Sequence, residues 1–482
     1  MEVRDGIDPT EAILESPEDV LSTLSKEGKR RWLYPTPSKG KFYTQRLVVA
    51  WGLIALFVAL PIIKIGGKPA VLLDIMHREF TFFGVTFYPT DSFVLLLFMV
   101  GVLLTVILAT ALLGRVWCGW GCPQTVYLEY VYRPIERLIE GPEHVRARRD
   151  QGPWSFDRLW RRSLRFGVYL VVSLALAHVF LAYFVGWADL SQWLTRSPLE
   201  HSGSFVVMAG TTALILFDFG YFREQMCTIT CPYARMQSVL VDPDSMIVSY
   251  DPVRGEPRAK RGKKALAAEA AGTIPAKGDC IDCAACVRTC PTGIDIREGL
   301  QMECIACTQC IDACDSIMDN IGKPRGLIRY TSENSLAGQR TRKFRPRTVI
   351  YTLLLVAVWT AFGFTLASRN SYDINVGRVV GTTYDQLNDG TITNRLRFRV
   401  RNQTGQSQSY TVKITDPANA ELRLVGTMPI ELEKGEMKRT EAFVLVPANE
   451  ISNGVRSLTL EFDFSDGTTR EANFTLLGPS TR

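Results

Sequence analysis

Histidine is scarce in this chain: 482 residues hold four, His77, His144, His178 and His201. Only His178 falls within an apolar stretch, so a membrane haem held by two histidines lacks its second ligand. No apolar run opens the sequence. Some 46 mostly polar residues come first, and no secretory signal is expected. No cysteine follows Cys314, so no disulfide can staple the C-terminal segment. Neither sign of charge dominates, with 55 Lys and Arg against 49 Asp and Glu. Without a basic surface module or aromatic platforms, nucleic acid is not an expected partner.

Apolar residues, by contrast, are abundant and clumped: 46 % of the chain is hydrophobic and 22 % charged. This is the pattern of a membrane protein with polar loops. Stretches long enough to cross a bilayer run over 47–65, 92–114, 166–187, 204–222 and 348–367. Lys and Arg alternate between the intervening segments. There are eight in 1–46, two in 66–91, ten in 115–165, one in 188–203 and nineteen in 223–347. The positive-inside rule puts the rich segments and the N-terminus in the cytoplasm and the C-terminus outside. Trp117, Trp120, Trp187 and Trp193 sit near span ends, where interfacial aromatics collect.

The first four stretches read as a duplicated helical hairpin. Each second helix ends in C-x3-C-P, at Cys118–Pro123 and Cys227–Pro232, 109 residues apart. Parallel repeats of this kind would gather all four cysteines on one cytoplasmic rim. The expected organisation is a cytoplasmic tail (1–46), a four-helix membrane domain (47–250), a flexible linker (251–278), a ferredoxin-like domain (279–330), a basic juxtamembrane segment (331–347), a fifth span (348–367) and a C-terminal domain (368–482). In that last domain Leu396, Phe398 and Val400 alternate with arginines, a period-two strand pattern. Similar runs at 410–414, 442–446 and 458–464 predict an immunoglobulin-like β-sandwich.

All twelve cysteines fall into four groups, which favours metal-ligand spacing over disulfides. Cys280, Cys283, Cys286 and Cys290 form C-x2-C-x2-C-x3-C, followed by Pro291. Cys304, Cys307, Cys310 and Cys314 repeat the spacing. In the bacterial two-cluster ferredoxin pattern the fourth cysteine of each run ligates the other cluster. One [4Fe–4S] cluster would take Cys280, Cys283, Cys286 and Cys314; the other would take Cys304, Cys307, Cys310 and Cys290. Two structural zinc sites are the alternative for such cysteines. Asp315 stands where a proline is usual after the second run. Asp279, Asp282, Glu303, Asp312 and Asp315 are expected to place negative charge around the clusters and favour low potentials.

The C-x3-C-P cysteines, Cys118, Cys122, Cys227 and Cys231, admit several uses. If helical, each pair lies one turn apart on one face, with its proline at a helix break or at the start of a following helix. They could bind a soft metal such as Cu(I), cycle as a redox dithiol, hold a further cluster, or stay inert and buried. Met226 and Met236 flank the second pair, where packing competes with thioether ligation. Asp218, an acid within a span, is a candidate for proton or cation handling, against simple snorkelling or pairing with Arg223.

Taken together, these motifs resemble the cytochrome c oxidase accessory protein family CcoG, also called FixG or RdxA. The resemblance covers nearly the whole chain: the tail, the spans, C-G-W-G-C-P at Cys118–Pro123, Cys227–Pro232, the paired ferredoxin runs and the immunoglobulin-like domain. Polyferredoxins of the NapH and NosR types share the hairpin and C-x3-C-P theme but lack that last domain. The resemblance implies an inner-membrane, multi-pass protein that supplies copper during assembly of cbb-class haem–copper oxidases. It implies cupric reductase activity, Cu(II) to Cu(I), with Cys118, Cys122, Cys227 and Cys231 handling the copper. Implied partners are membrane lipid, an electron donor, a copper-transporting ATPase or chaperone, oxidase subunits, and a second copy in a homo-oligomer. Two alternatives stand beside it: a polyferredoxin subunit of a quinol-linked electron-transfer chain, and a non-redox copper-binding scaffold. The expected fold class is therefore a multi-span α-helical membrane protein (about five spans) with a two-cluster ferredoxin-like cytoplasmic domain and an all-β immunoglobulin-like domain.

Overall fold

The computed structural model describes residue 23 and residues 30–88, 91–262, 265, 269, 271–273, 275, 277–342, 344–404 and 406–479, the side chain of residue 238 excepted. The chain divides into two compact units, Met1–Phe362 and Gly363–Arg482.

Five helices in the described residues are long and apolar enough to cross a membrane. They are α1 (Lys41–Ala59), α2 (Ser92–Leu113), α3 (Phe156–Val185), α4 (Ser202–Phe217, continued by a π-turn to Phe222) and α5 (Pro346–Ala367). Four of them start earlier than the apolar pattern indicates, α1 and α3 by more than a turn. Helix α1 runs over 41–59, not 47–65. Pro61 cannot continue a helix, and Lys64–Ile65 pairs instead with Lys68–Pro69 as a short hairpin. At the other end, the carboxylate of Asp312 accepts hydrogen bonds from the amides of Phe42 (3.2 Å) and Tyr43 (2.7 Å). Asp312 thus satisfies amides that the first turn leaves free, across 270 residues of sequence. A side chain at Gly40 would collide with that carboxylate. Helix α3 begins at Phe156 because the Ser155 side chain caps it, accepting from the Arg158 amide. Its 30 residues span about 45 Å, longer than a bilayer core, so its basic first turns extend beyond the apolar stretch.

The ferredoxin-like part is bracketed by an antiparallel pair, Ile247–Tyr250 with Ile328–Thr331. Its first strand lies upstream of the segment 251–278 that composition marks as a linker. That segment falls partly outside the described residues. Its described ends are tied down by the Arg254–Asp279 ion pair (2.6 Å) and by close packing of Gly278 on Gly255. Composition misses this because the strand is four residues of ordinary apolar pattern.

In the second unit two sheets face each other. One has Glu421–Leu424, Met437–Pro447, Thr391–Asn402 and Tyr372–Arg378 side by side, with Asp385–Gln386 on the third. The other orders Ile430–Leu432, Gln408–Asp416, Val455–Phe464 and Thr469–Leu477. Every second residue of Thr391–Asn402 is buried, as its alternation requires. Leu396, Phe398 and Val400 meet Leu458, Leu460 and Phe462 in the core. No disulfide holds the sheets together. The buried Asn394 amide does part of that work, donating to the Leu477 carbonyl (2.9 Å) and accepting from its N–H (2.9 Å). The immunoglobulin-like architecture is thus present.

Replacing Asp312 by alanine should uncap α1 at a cost of about 1–2 kcal/mol. Thermal bleaching of iron–sulfur absorbance in detergent should then begin at lower temperature; an unchanged transition would show that the cap contributes nothing.

Candidate iron–sulfur and thiol sites

The two cysteine runs fold alike. Each middle cysteine is flanked by left-handed residues: Asp282 and Ala284 around Cys283, Ala306 and Thr308 around Cys307, with φ between 52° and 62°. Such conformations cost a non-glycine residue about 1–2 kcal/mol each. Their recurrence at matched positions marks a loop shape imposed by what it surrounds. After each loop a helix begins, Ala285–Arg288 and Gln309–Ile321.

Two small cavities result. One is lined by Cys280, Cys283, Cys286 and Cys314, with Tyr250, Met318, Leu327 and Ile328. The other is lined by Cys290, Cys304, Cys307 and Cys310, with Val248, Ile294, Ile296 and Ile305. Cys286 lies between them and borders both. Each quartet combines three thiols of one run with the last of the other. Among the described residues, no three His, Cys, Asp or Glu converge as a single metal ion needs. A structural zinc would draw four sulfurs to about 2.3 Å from one point. Thiols standing round an apolar space suit a polynuclear cluster, and the apolar lining keeps water from it. The residues fit the group that their spacing implies.

Asp315 lies inside Gln309–Ile321, where a proline would break the helix, and its carboxylate accepts the Gly326 N–H (2.9 Å). Two of the other nearby acids are paired with cations, which offsets part of the negative charge expected around the clusters. Asp279 pairs with Arg254 and with Lys323 (3.0 Å), Asp282 pairs with Arg297 (2.6 Å), and Asp312 caps α1. Glu303 is unlike them: burial raises its pKa and favours its neutral form.

The rim cysteines come together. Cys118 packs with Ile305, Cys307, Cys227 and Tyr233. Cys118, Cys122 and Cys231 are all near enough to Cys227 to disfavour its ionisation. Neither pair shares a helical face, however. Cys122 (φ −64°, ψ 126°) and Cys231 (φ −65°, ψ 112°) are extended, each followed by a proline that starts a new helix. A residue before proline is disfavoured in the helical region, so C-P forces the break. The shared conformation supports the duplication. Burial first, then the Cys122 thiol, pushes Cys118 up to about 12; burial and the other rim thiols raise Cys227 as well. Reactive redox cysteines show lowered values. Cys118 and Cys227 instead favour their protonated forms.

The sequence-singled neighbours are distributed unevenly. Asp218 accepts from Gln124 Nε2 (3.1 Å), while the Arg223 side chain goes to Glu136 (2.7 Å) rather than to Asp218. Met236 is 39 % exposed and lies away from a buried ligand position. His178 donates through Nδ1 to the Leu174 carbonyl of its own helix (2.8 Å).

Sequence reasoning missed the contact between the two kinds of site. A Cβ on Gly119, within C-G-W-G-C, would stand 2.7 Å from Cys307 Cα and from the Ile305 carbonyl oxygen. Glycine alone allows the rim loop to seat on the second run. Around that contact, Arg46 Nε donates to the Gly119 carbonyl (2.9 Å) and Trp120 Nε1 to the Tyr330 hydroxyl (3.0 Å). Cys118 Sγ donates to Gln237 Oε1 (3.2 Å). Also unforeseen was a buried network of Arg30, Arg133, Arg146, Arg165 and Arg223 with Glu129, Glu136, Glu140 and Glu224. It reaches the cluster unit through Arg133 to the Pro291 carbonyl (3.3 Å) and Gln309 Nε2 to Glu129 (3.2 Å).

Known proteins share this architecture. Residues 222–333 match the 4Fe–4S dicluster domain family, residues 94–142 a 4Fe–4S binding domain, and residues 362–479 the Ig-like fold at the C-terminus of FixG. Protein RdxB of Cereibacter sphaeroides is 35 % identical over 451 residues, covering 90 % of each chain. RdxA of the same organism is 33 % identical over 83 % of this chain and 86 % of its own. The nitrogen fixation protein FixG of Rhizobium meliloti is 30 % identical over 94 % of each.

Gly119→Val should overpack this contact at a cost of about 1–3 kcal/mol. Iron analysis of the purified variant should show preferential loss from one of two sites. Full iron content with unchanged stability would mean that the loops need not touch.

Proposed function

The chain belongs to the FixG/RdxA family, and from that premise we propose that this iron–sulfur electron-transfer protein reduces Cu(II) to Cu(I) at its rim thiols. Cys280, Cys283, Cys286 and Cys314 hold one [4Fe–4S] cluster in this reading, and Cys304, Cys307, Cys310 and Cys290 the other. When bound, the clusters supply single electrons at low potential. The observation that carries the proposal is the packing of Cys118 and Cys227 against Ile305 and Cys307 of the second run. A soft ion held there is separated from the second thiol cavity by little more than one loop.

Copper is the substrate. The rim favours its reduced state because thiolates are soft ligands. Cu(II) gains one electron to become Cu(I), and the thiols that bind it release their protons. Gln237 Oε1 holds the Cys118 proton in the metal-free state. The reading has Cu(I) held by two thiolates at a time, an arrangement suited to hand-over. Electrons come from a reduced one-electron carrier in the cytoplasm, the side assigned to the clusters by the nineteen basic residues of 223–347. The sandwich that follows α5 then lies on the periplasmic side of an inner membrane. The recipient is a copper ATPase, a chaperone or an assembling cbb-class oxidase.

The test uses full-length protein in detergent, reduced anaerobically, with Cu(I) formation followed by a colorimetric chelator. Replacing Cys118, Cys122, Cys227 and Cys231 by serine should slow Cu(I) formation more than about tenfold (over 1.4 kcal/mol) while leaving both cluster EPR signals intact. Equal rates in variant and wild type would refute rim reduction.

A further inference from the structure

Arg46 is the sixth residue of α1 and is 1 % exposed. Its Nε donates to the Gly119 carbonyl, yet neither Nη1 nor Nη2 has a hydrogen-bond partner among the described residues. A buried guanidinium with unused donors is costly, by several kcal/mol per uncompensated ion. Tyr130, whose ring lies 5.6 Å from the guanidinium carbon, has a buried hydroxyl that is likewise unpartnered. The Gly119 that Arg46 holds is seated on the Cys307 backbone, since a Cβ there would stand 2.7 Å from Cys307 Cα, and this brings the guanidinium close to that residue. Cys307 is one of the four thiols around the second cavity.

The first cavity has an arginine in its wall, Arg297. That guanidinium is spent: it is bound to Asp295 (2.5 Å) and Asp282 (2.6 Å). Arg115, beside Cys304, uses its donors on the carbonyls of Met302, Cys304 and Ala234. Among these three arginines, Arg46 alone keeps both Nη groups buried and without a partner among the described residues.

We infer that Arg46 is the counter-cation and N–H donor of the second iron–sulfur site, a positioning residue that holds that site's reduction potential above the first site's. Reduction adds negative charge to a cluster already surrounded by thiolates. A fixed cation and N–H···S hydrogen bonds stabilise the reduced form and raise its potential. The first site, with its arginine neutralised by two carboxylates, lacks that stabilisation. Because Arg46 also grips Gly119, the same side chain fixes the more readily reduced site against the rim loop. The inference rests on the reading of the two thiol cavities as [4Fe–4S] sites.

The test is an anaerobic, EPR-monitored redox titration of full-length protein in detergent, wild type against Arg46→Met and Arg46→Lys. Wild type should show two separate potentials. Arg46→Met should move the upper one down toward the lower, leaving the lower one in place and the iron content unchanged; Arg46→Lys should move it less. Unmoved potentials with full iron, or movement of the lower one, would overturn the inference. Should Arg46→Met fail to fold, the wild type decides. With 15N-labelled arginine, pulsed EPR of the half-reduced protein should detect a guanidinium nitrogen coupled to the cluster, lost in Arg46→Lys. Absence of that coupling in wild type would also overturn it. Failure of the underlying reading looks different, because then neither titration yields any cluster signal.

Discussion

The seating of Gly119 on the backbone of Ile305–Cys307 is the contact on which the functional arrangement depends. It joins a loop that ends a membrane helix to a loop that encircles an iron–sulfur site, with no side chain between them. Thiols of two different chemical environments are thereby brought to one place. The second cavity is mostly apolar in its lining. The rim is only half-buried apart from Cys118. Electron transfer falls steeply with separation, so removing a side chain's thickness from the path affects function as well as packing. The surrounding bonds, from Arg46 to Gly119 and from Trp120 to Tyr330, fix the loop against sliding.

Electrostatics keep the cluster unit docked on the helices. A buried ion pair is weak evidence of stability, because desolvation offsets much of the attraction. The Arg–Glu network instead specifies geometry: Glu136 is shared by Arg146, Arg165 and Arg223, and each carboxylate left alone would be an uncompensated buried charge. Burial works to raise the Glu136 pKa, and the charges of Arg223 and Arg146 more than reverse it, holding the carboxylate ionised. Through Arg133 and Gln309 the network meets the first and second cysteine runs. Asp312 adds a third attachment at the start of α1.

The legible features were those written as local periodicity. Eight cysteines at fixed spacing indicated two clusters with exchanged fourth ligands, and the cavities group the thiols that way. Apolar length located the spans, and period-two alternation in Thr391–Asn402 located the sandwich. Features depending on partners distant in sequence were not legible. Arg46 reads as one more basic residue before a span, and Asp312 as one more acid near a cluster; their roles exist only across gaps of 73 and 270 residues. The break at Cys122 and Cys231 was within reach, since a residue before proline avoids the helical region. The glycines of C-G-W-G-C were a visible signal too, though nothing in the sequence names the backbone they approach.

The most direct test of the account is low-temperature EPR of the fully reduced, anaerobically purified chain, with metals counted on the same sample. Two neighbouring [4Fe–4S]+ centres should give a broadened, magnetically interacting spectrum that resolves into a simpler signal when the protein is half reduced. A colourless, EPR-silent protein carrying zinc in place of iron would contradict it.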